Sequence, residues 1–298
     1  MLIKEIGEFG LIKRLQKSLR TDASVIKGSG DDCAVLAFDK NSYQLFTCDM
    51  IVEGVDFSKK DKPELIARKA LAISISDIAS CGGIPSYALV SMGIPKDTTV
   101  EFIDKLAAGL FSLAKEYKIN IVGGDLSRSR QLAIDLSLLG RVEKKNLVLR
   151  EGAKEGDIIF VSGALGGSIY GKHLKFTPRI KEARYLVKNF KVNAMIDISD
   201  GLLADLGHIL EEGRVGAFIY ESLIPVSKEA KSFNHALCDG EDFELLFTLA
   251  QNQAVRLLQN NPFGFKPIGR IEAKKNGFNL VDKNWQKRAI TAKGYSHF

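Results

Sequence analysis

Aspartates placed beside glycine or serine are the residues of this 298-residue chain most suited to chemistry. They occur in the segments GSGDDC, LFTCDM, IVGGDL and MIDISDG, and they are Asp31, Asp32, Asp49, Asp125, Asp197 and Asp200. Taken singly, each also fits a helix N-cap or an Asx-turn. Asp77 differs because it lies within the apolar, helix-like segment ALAISISDIAS, where a carboxylate needs a cation or another partner.

Together these carboxylates predict a magnesium site. Mg²⁺ takes oxygen ligands and usually bridges protein carboxylates to substrate phosphates. The chain has four histidines and no HExxH motif, so the sequence does not support soft-metal chemistry. Glycine-rich turns at residues 28–30, 123–124 and 163–167 allow backbone N–H groups to approach phosphates closely. A phosphate-bearing substrate is therefore expected.

One segment imitates a P-loop. Residues 166–173 read GGSIYGKH, which follows a predicted strand and matches GxxxxGK, but His173 stands where a Walker A loop needs Ser or Thr for the metal. We expect no P-loop here. The chain also lacks GxSxG, and His173, His208, His235 and His297 are expected to be packing or surface residues.

Helix-like and strand-like segments alternate along the chain, which predicts an α/β (α+β) class with mixed sheets in two domains. The predicted helices cover residues 8–19, 63–80, 100–117 and 201–210, with two more after Gly166 and Pro178. The predicted strands cover residues 43–48, 87–92, 119–122 (short and buried), 132–142, 157–162, 194–196, 217–220, 243–248 and 267–271. The charged segment 143–156 places the boundary, giving domains 1–145 and 146–298.

The composition limits the possible partners. The four cysteines form no CxxC pair, so a disulfide framework or zinc site is not expected. No signal peptide and no run of about 18 apolar residues is visible, which predicts a cytoplasmic protein without a membrane partner. The net charge of +6 is concentrated in residues 251–298, with nine Lys or Arg and two acids. This region suits nucleic acid or a solvated surface; without interleaved aromatic residues we expect the latter.

The motifs assemble in order and spacing into a resemblance to the thiamine-monophosphate kinase family that covers essentially the whole chain. They are GEFGLI at 7–12, GSGDDCAVL at 28–36, TCDMIVEGVDF at 47–57, KALAISISDIASCGGIP at 69–85, VGGDLSRS at 122–129, LREGAKEGD at 149–157, IDISDGLLADLGHI at 196–209, DGEDFELLFT at 239–248 and GYSHF at 294–298. A single motif such as GDD is unspecific, but nine in register are specific.

The resemblance implies a fold shared with aminoimidazole ribonucleotide synthetase and selenophosphate synthetase, in which an N-terminal α/β domain dimerises through its sheet. It implies a magnesium-dependent kinase that converts ATP and thiamine monophosphate to ADP and thiamine diphosphate. By the same likeness the metal ligands are Asp32, Thr47, Asp49, Asp77, Asp125, Asp197 and Asp200. The implied ATP contacts are Tyr117, Gly124, Asp125, Arg150 and Ser199, and the implied substrate contacts are Asp56, Glu241 and Tyr295. Asp31 is expected to shape its loop.

The chain departs from the family pattern at several positions. Asp56 replaces the His of EGxHF, Cys48 replaces a Thr, and Asp239 replaces the first Gly of GGED. An anion at position 56 would repel a phosphate unless a metal or the thiazolium intervened. Two other functions stay open: a synthetase of the same fold that activates an amide or selenide with ATP, and a non-catalytic nucleotide-binding scaffold. Selenophosphate synthetase would need a reactive Cys or selenocysteine with a Lys near the N-terminus, and none precedes Gly28.

Overall fold

The computed structural model describes residues 2–296, so His297 and the end of the GYSHF motif lie outside it. The helices are α1 (Ile3–Gln16), α2 (Pro63–Ser80), α3 (Val100–Tyr117), α4 (Ile180–Asn189), α5 (Leu202–Gly213), α6 (Phe233–Cys238) and α7 (Gln251–Gln259). The first strands are β1 (Val25–Lys27), β2 (Ala34–Ala37), β3 (Ser42–Val52), β4 (Ile84–Ile94), β5 (Asn120–Arg128) and β6 (Ala133–Glu143). The later strands are β7 (Ile158–Val161), β8 (Val192–Asp197), β9 (Gly216–Tyr220), β10 (Leu245–Leu249), β11 (Lys266–Glu272), β12 (Phe278–Val281) and β13 (Lys287–Ala289).

The first six strands form one sheet in the order β1-β2-β3-β6-β4-β5. Its pairs are antiparallel except for β4 and β5, which are joined through α3 and run parallel. One face of β3 is buried at Leu45, Thr47 and Ile51, whereas Phe46 and Met50 on the other face are exposed. This alternation shows a sheet of which residues 2–296 cover only one face.

The other seven strands form a second sheet in the order β13-β12-β9-β11-β7-β10-β8. All its pairs are antiparallel except β9 with β12. Alternate residues of β7 enter separate apolar clusters, Ile159 and Val161 on one side and Phe160 on the other. Both faces of this sheet are therefore covered, which explains the nearly continuous apolar runs of its central strands.

Helix α2 is buried on nearly all sides and contacts α3 and β3 of the first half as well as α4 and β8 of the second. Pro63 lies in the first turn of α2, where backbone N–H groups have no partner within the helix. Proline, which has no N–H, therefore costs no hydrogen bond there. Lys69, Ser74 and Ser76 are buried in it together with its apolar side chains. Polar groups in such a helix require partners, and these partners form the site described below.

The structure confirms helices 63–80 and 100–117 at the predicted bounds. The prediction of a buried strand at 119–122 is wrong, because β5 is an exposed edge strand that continues to Arg128. The helix predicted after Gly166 is also wrong, since two short 3₁₀ turns occupy residues 168–174. The expected domain boundary near residue 145 stays a prediction. Within residues 2–296, no helix has the length and apolar character needed to cross a membrane.

Candidate active site

Three of the predicted carboxylates meet around α2, although they come from different elements. Asp49 lies on β3, Asp77 lies on α2, and Asp197 ends β8. Each accepts a hydrogen bond from a hydroxyl in or beside the helix. The Oγ atoms of Ser74 and Ser76 donate to Asp49 at 2.6 Å and to Asp197 at 2.5 Å, and Thr47 Oγ1 donates to Asp77 at 2.5 Å. Thr47, a predicted metal ligand, is thus in place to orient Asp77.

The carboxylates strongly oppose one another's ionisation. Burial and then the charges of Asp49 and Asp197 raise the pKa of Asp77 well above its ordinary value. Burial and then the charge of Asp32 raise the pKa of Asp197 to about 8. Burial raises the pKa of Asp49 to about 6, although the Ser74 hydroxyl lowers it. Hydroxyl donors orient these groups without neutralising them, so the repulsion between the carboxylates remains.

Asp32 and Arg150 join the two halves of the chain beside this cluster. Arg150 Nε and one terminal nitrogen donate to Asp32 Oδ1 at 2.9 and 2.5 Å. The other oxygen of Asp32 is buried and has no hydrogen-bond partner within the described residues. Asp31 accepts the backbone N–H groups of Arg150 and Asp32, both at 3.1 Å, which supports its predicted role in shaping the loop.

These residues fit Mg²⁺. The unpartnered oxygen of Asp32 and the crowded carboxylates of Asp49, Asp77 and Asp197 supply only oxygen ligands, as a hard divalent cation requires. A bound dication would remove the like-charge repulsion that raises the pKa values of these groups. The structure therefore gives an electrostatic reason for a cation beside these carboxylates. Among the described residues, the three side chains whose ligand atoms already lie within 4.8 Å of one another are Asp200, Asp205 and His208.

Two adjoining cavities open beside the carboxylates. The smaller cavity, of about 290 Å³, is lined by Asp49, Asp56, Lys69, Asp77, Glu241, Phe243 and other residues. The larger cavity, of about 770 Å³, is lined by Gly30, Arg150, Asp205, His208 and residues of α1. Ser199, Asp200 and Tyr295 line both cavities. The two cavities thus bring together two of the predicted ATP contacts, Arg150 and Ser199, and the three predicted substrate contacts, Asp56, Glu241 and Tyr295.

Asp200 is held by a residue that the sequence analysis missed. Asp205, buried in the first turn of α5, accepts the backbone N–H groups of Asp200 at 3.1 Å and Gly201 at 3.0 Å. Asp200 in turn accepts the N–H of Tyr295 through its backbone carbonyl at 2.9 Å. Asp205 thus fixes the turn that presents Asp200. The sequence feature that indicates such a role for Asp205 is its position as an acidic residue in the first turn of a helix.

Asp125 lies apart from the other predicted ligands within the chain. It is exposed on edge strand β5 and pairs across the sheet with Ser91, which pairs with Asp135 of β6. Paired residues share a face, so Asp125 points to the uncovered side of the sheet. Gly124 beside it is required sterically, because a Cβ atom there would lie 1.8 Å from the carbonyl oxygen of Val90.

Tyr117 is also separate from the cavities. At the end of α3 it is half-buried, and its hydroxyl donates to the Pro178 carbonyl at 3.4 Å. Burial raises the pKa of Tyr117 to about 12. Neither Tyr117 nor Asp125 is among the described residues that line the two cavities.

The wall of the smaller cavity contains a buried ion pair that the sequence analysis missed. Lys69 of α2 pairs with Glu241, and its Nζ also donates to the Asp56 carbonyl oxygen at 2.7 Å. His173 Nδ1 lies 3.0 Å from Glu241, so the expectation that His173 only packs is incomplete. The sequence does contain a signal for Lys69. It precedes Ile73 by four residues and Asp77 by eight, and this spacing places all three on one face of the helix.

Asp56, which departs from the family pattern, has a local role. Its carboxylate accepts the Val52 N–H at 2.7 Å and so closes the turn that follows β3. The P-loop-like segment is not a phosphate cradle either. The N–H groups of Gly166 and Gly167 donate to the carboxylates of Asp242 and Asp239, at 2.8 and 3.2 Å.

The two sheets and their shared site define the class of protein. Residues 30–142 match the N-terminal domain of the AIR synthase related proteins and residues 154–281 match the C-terminal domain, so the chain has both domains of that class. It is 36% identical to the thiamine-monophosphate kinase of Buchnera aphidicola subsp. Schizaphis graminum, with 99% of each chain covered. Identity to the Aquifex aeolicus enzyme is 34% over 100% of both chains. A solved complex of AaThiL with AMPPCP and TMP superimposes with a TM-score of 0.87 at 33% identity, covering 100% of this chain and 99% of that one. The chain belongs to the thiamine-monophosphate kinase family.

Proposed function

We propose that this chain transfers the γ-phosphoryl group of ATP directly to the phosphate of thiamine monophosphate, giving thiamine diphosphate and ADP. The observation that carries the proposal is the cluster of Asp32, Asp49, Asp77 and Asp197, of which Asp49 and Asp77 line the smaller of two adjoining cavities, in a chain of this family. The relative with AMPPCP and TMP bound supports both substrates.

The proposed assignment gives each cavity one substrate. Arg150 and Ser199, which line the larger cavity, would hold the triphosphate, and Asp200 and Tyr295 lie where the cavities join. Glu241, Asp56 and Tyr295, which line the smaller cavity, would hold thiamine monophosphate. The larger volume matches the larger ligand. Its position beside Gly30 and Arg150 agrees with a phosphate site built from a glycine turn and a forked cation.

Positioning and charge neutralisation would provide most of the catalysis. The acceptor is a phosphate monoester that is largely deprotonated at neutral pH, so its oxygen can attack without a general base. When bound by Asp32, Asp49, Asp77 and Asp197, Mg²⁺ would neutralise phosphate charge and align the two substrates. The hydroxyls of Thr47, Ser74 and Ser76 would keep the carboxylates aimed at the site.

Asp125 and Gly124 would act across a homodimer. The uncovered face of the first sheet exposes apolar side chains, among them Met50 (58%), Tyr87 (49%) and Leu89 (48%). Such a patch is typical of an interface, and Asp125 lies on the same face. A partner's sheet packed there would bury the patch and bring each Asp125 to a site. We also propose that the enzyme works in the cytoplasm without a nucleic-acid or membrane partner.

The test is product formation from ATP, Mg²⁺ and thiamine monophosphate. We expect thiamine diphosphate to appear in step with ADP, to disappear with EDTA, and not to form when thiamine replaces the monophosphate. If a well-folded, ATP-binding protein gives no product, the acceptor is wrong. ADP release that is independent of thiamine monophosphate would also contradict the proposal.

A further inference from the structure

One basic side chain stands among the carboxylates of the smaller cavity. Lys69 is the single Lys or Arg among the described residues that line it. Only 1% of its side chain is exposed. It precedes Asp77 by eight residues and lies on the same face of α2. Its ammonium group donates to the Asp56 carbonyl oxygen at 2.7 Å and to the carboxylate of Glu241, and His173 Nδ1 lies 3.1 Å from Nζ.

The backbone is strained in order to present Glu241 to this lysine. Glu241 has a φ of 63°, in the left-handed region that non-glycine residues seldom adopt. Its N–H donates to the Ser199 carbonyl at 2.6 Å, and its own carbonyl accepts the Ser168 hydroxyl at 2.6 Å. These bonds hold the strained turn in place. Strain that is maintained in this way points to a side chain whose position is needed for function.

Lys69 and Glu241 form an ion pair in the wall of the cavity. Burial by itself would raise the pKa of Glu241, but the bonds from His173 and Lys69 outweigh burial and lower it. Glu241 therefore stays anionic beside the cationic Lys69. This inference rests on the proposed function, in which the acceptor is thiamine monophosphate. That substrate carries the complementary charges: a cationic thiazolium and a phosphate monoester with a charge of about −1.5 to −2 at pH 7.

We infer that Lys69 is the protein's own binding residue for the acceptor phosphate, and that its ammonium group moves from Glu241 to that phosphate when substrate enters. Glu241 is then available to the thiazolium, while His173, 3.0 Å from it, keeps the carboxylate in place. The substrate's two charges thereby replace an ion pair already present in the wall. Asp49, Asp77 and Asp200 face the same space, so an acceptor phosphate without Lys69 would meet mainly negative protein groups.

A structural role for the pair makes a different prediction. If Lys69 only ties α2 to the turn that contains Glu241, its loss would weaken every ligand of the smaller cavity equally. If Lys69 binds phosphate, its loss would weaken only a ligand that carries phosphate. Thiamine monophosphate and thiamine differ by that one group.

The experiment measures the affinities of thiamine monophosphate and thiamine by calorimetry or competition, with Mg²⁺ and AMPPCP present. We expect Lys69→Met to weaken thiamine monophosphate binding about 10- to 100-fold and to leave thiamine within about 3-fold of wild type. Lys69→Arg keeps the charge and should lose less. Lys60→Met, on an exposed loop, is the control for removing a lysine and should change neither affinity.

Equal weakening of both ligands by Lys69→Met, or no change in either, overturns the inference. Because an unpaired Glu241 is costly when buried, Lys69→Met could fail to fold. The double variant Lys69→Met/Glu241→Gln removes both charges, and it should also lose the preference for the phosphorylated ligand. Failure of the proposed function is distinguishable, because the wild-type protein would then form no thiamine diphosphate at all.

Discussion

Replacing Asp49 with asparagine should stabilise the metal-free protein while inactivating it. The pKa of Asp49 is raised from 3.8 to about 6, a change of about 2 units. At about 1.4 kcal/mol per unit, ionised Asp49 costs the folded state about 3 kcal/mol at pH 8. Because the folded pKa is the higher one, this cost is absent below pH 3.8, grows as the pH rises from 3.8 to about 6, and is constant above that. Asparagine keeps the shape and an acceptor for Ser74 but has no charge to bury.

The assay is urea unfolding of wild type and Asp49→Asn in EDTA, at pH 8 and at lower pH. We expect the variant to be more stable by up to about 3 kcal/mol at pH 8, with the difference shrinking towards pH 4. Added Mg²⁺ should stabilise wild type more than the variant, since the metal binds the folded carboxylates. Turnover of the variant should fall by at least about 100-fold.

A variant that is less stable than wild type at pH 8 in EDTA, with the same pH dependence, would refute the reasoning. It would mean that Asp49 is stabilised by an internal partner. Near-normal turnover of Asp49→Asn would separately contradict the assignment of Asp49 as a metal ligand. The two results are independent, since one measures the empty fold and the other the loaded enzyme.

Three further predictions concern residues around this cluster. Asp125→Asn should leave the melting temperature unchanged, because this carboxylate is exposed and its hydrogen bond from Ser127 is long, at 3.3 Å. The same substitution should lower turnover at least about 100-fold, and normal turnover would remove Asp125 from the site. Asp205→Ala should lower the free energy of unfolding in urea by about 2 kcal/mol, because two backbone N–H groups lose their acceptor. Asp205→Asn should lower it by less than half as much, and equal losses would contradict the acceptor role. Leu89→Asp should convert a dimer to a monomer in sedimentation experiments and reduce activity with it, whereas a wild-type protein that sediments as a monomer would contradict the proposed interface.

The parts of the site that the sequence revealed were those with a local signature. Asp77 stood out because a carboxylate within an apolar helix needs an explanation, and Asp49 and Asp197 because they follow apolar strands. Helix α2 was placed correctly from Pro63 and the glycines that follow Ser80. Such features depend on neighbours in the chain, so composition and spacing are enough to find them.

The features that the sequence analysis missed depend on the tertiary fold. Lys69 pairs with Glu241 across 172 residues of sequence, and no local pattern links them. The segment at 119–122, which reads INIV, was predicted to be a short buried strand. Its true environment depends on its place at the edge of a sheet whose outer face is uncovered, and the strand order sets this. The loop at 166–173 was correctly excluded as a P-loop, but the helix expected there does not form.

Helix α2 explains why the two halves of the chain must dock for the site to exist. Its Ser74 orients Asp49 of the first sheet, and its Ser76 orients Asp197 of the second. The helix thus fixes carboxylates from both sheets at once, and each hydroxyl directs a carboxylate without cancelling its charge. A stability optimum alone would favour apolar groups here, because four crowded acids oppose folding. Their presence around a helix buried on nearly all sides is consistent with the proposed site, which would reach its low-energy state only when a cation and phosphates enter between the two halves.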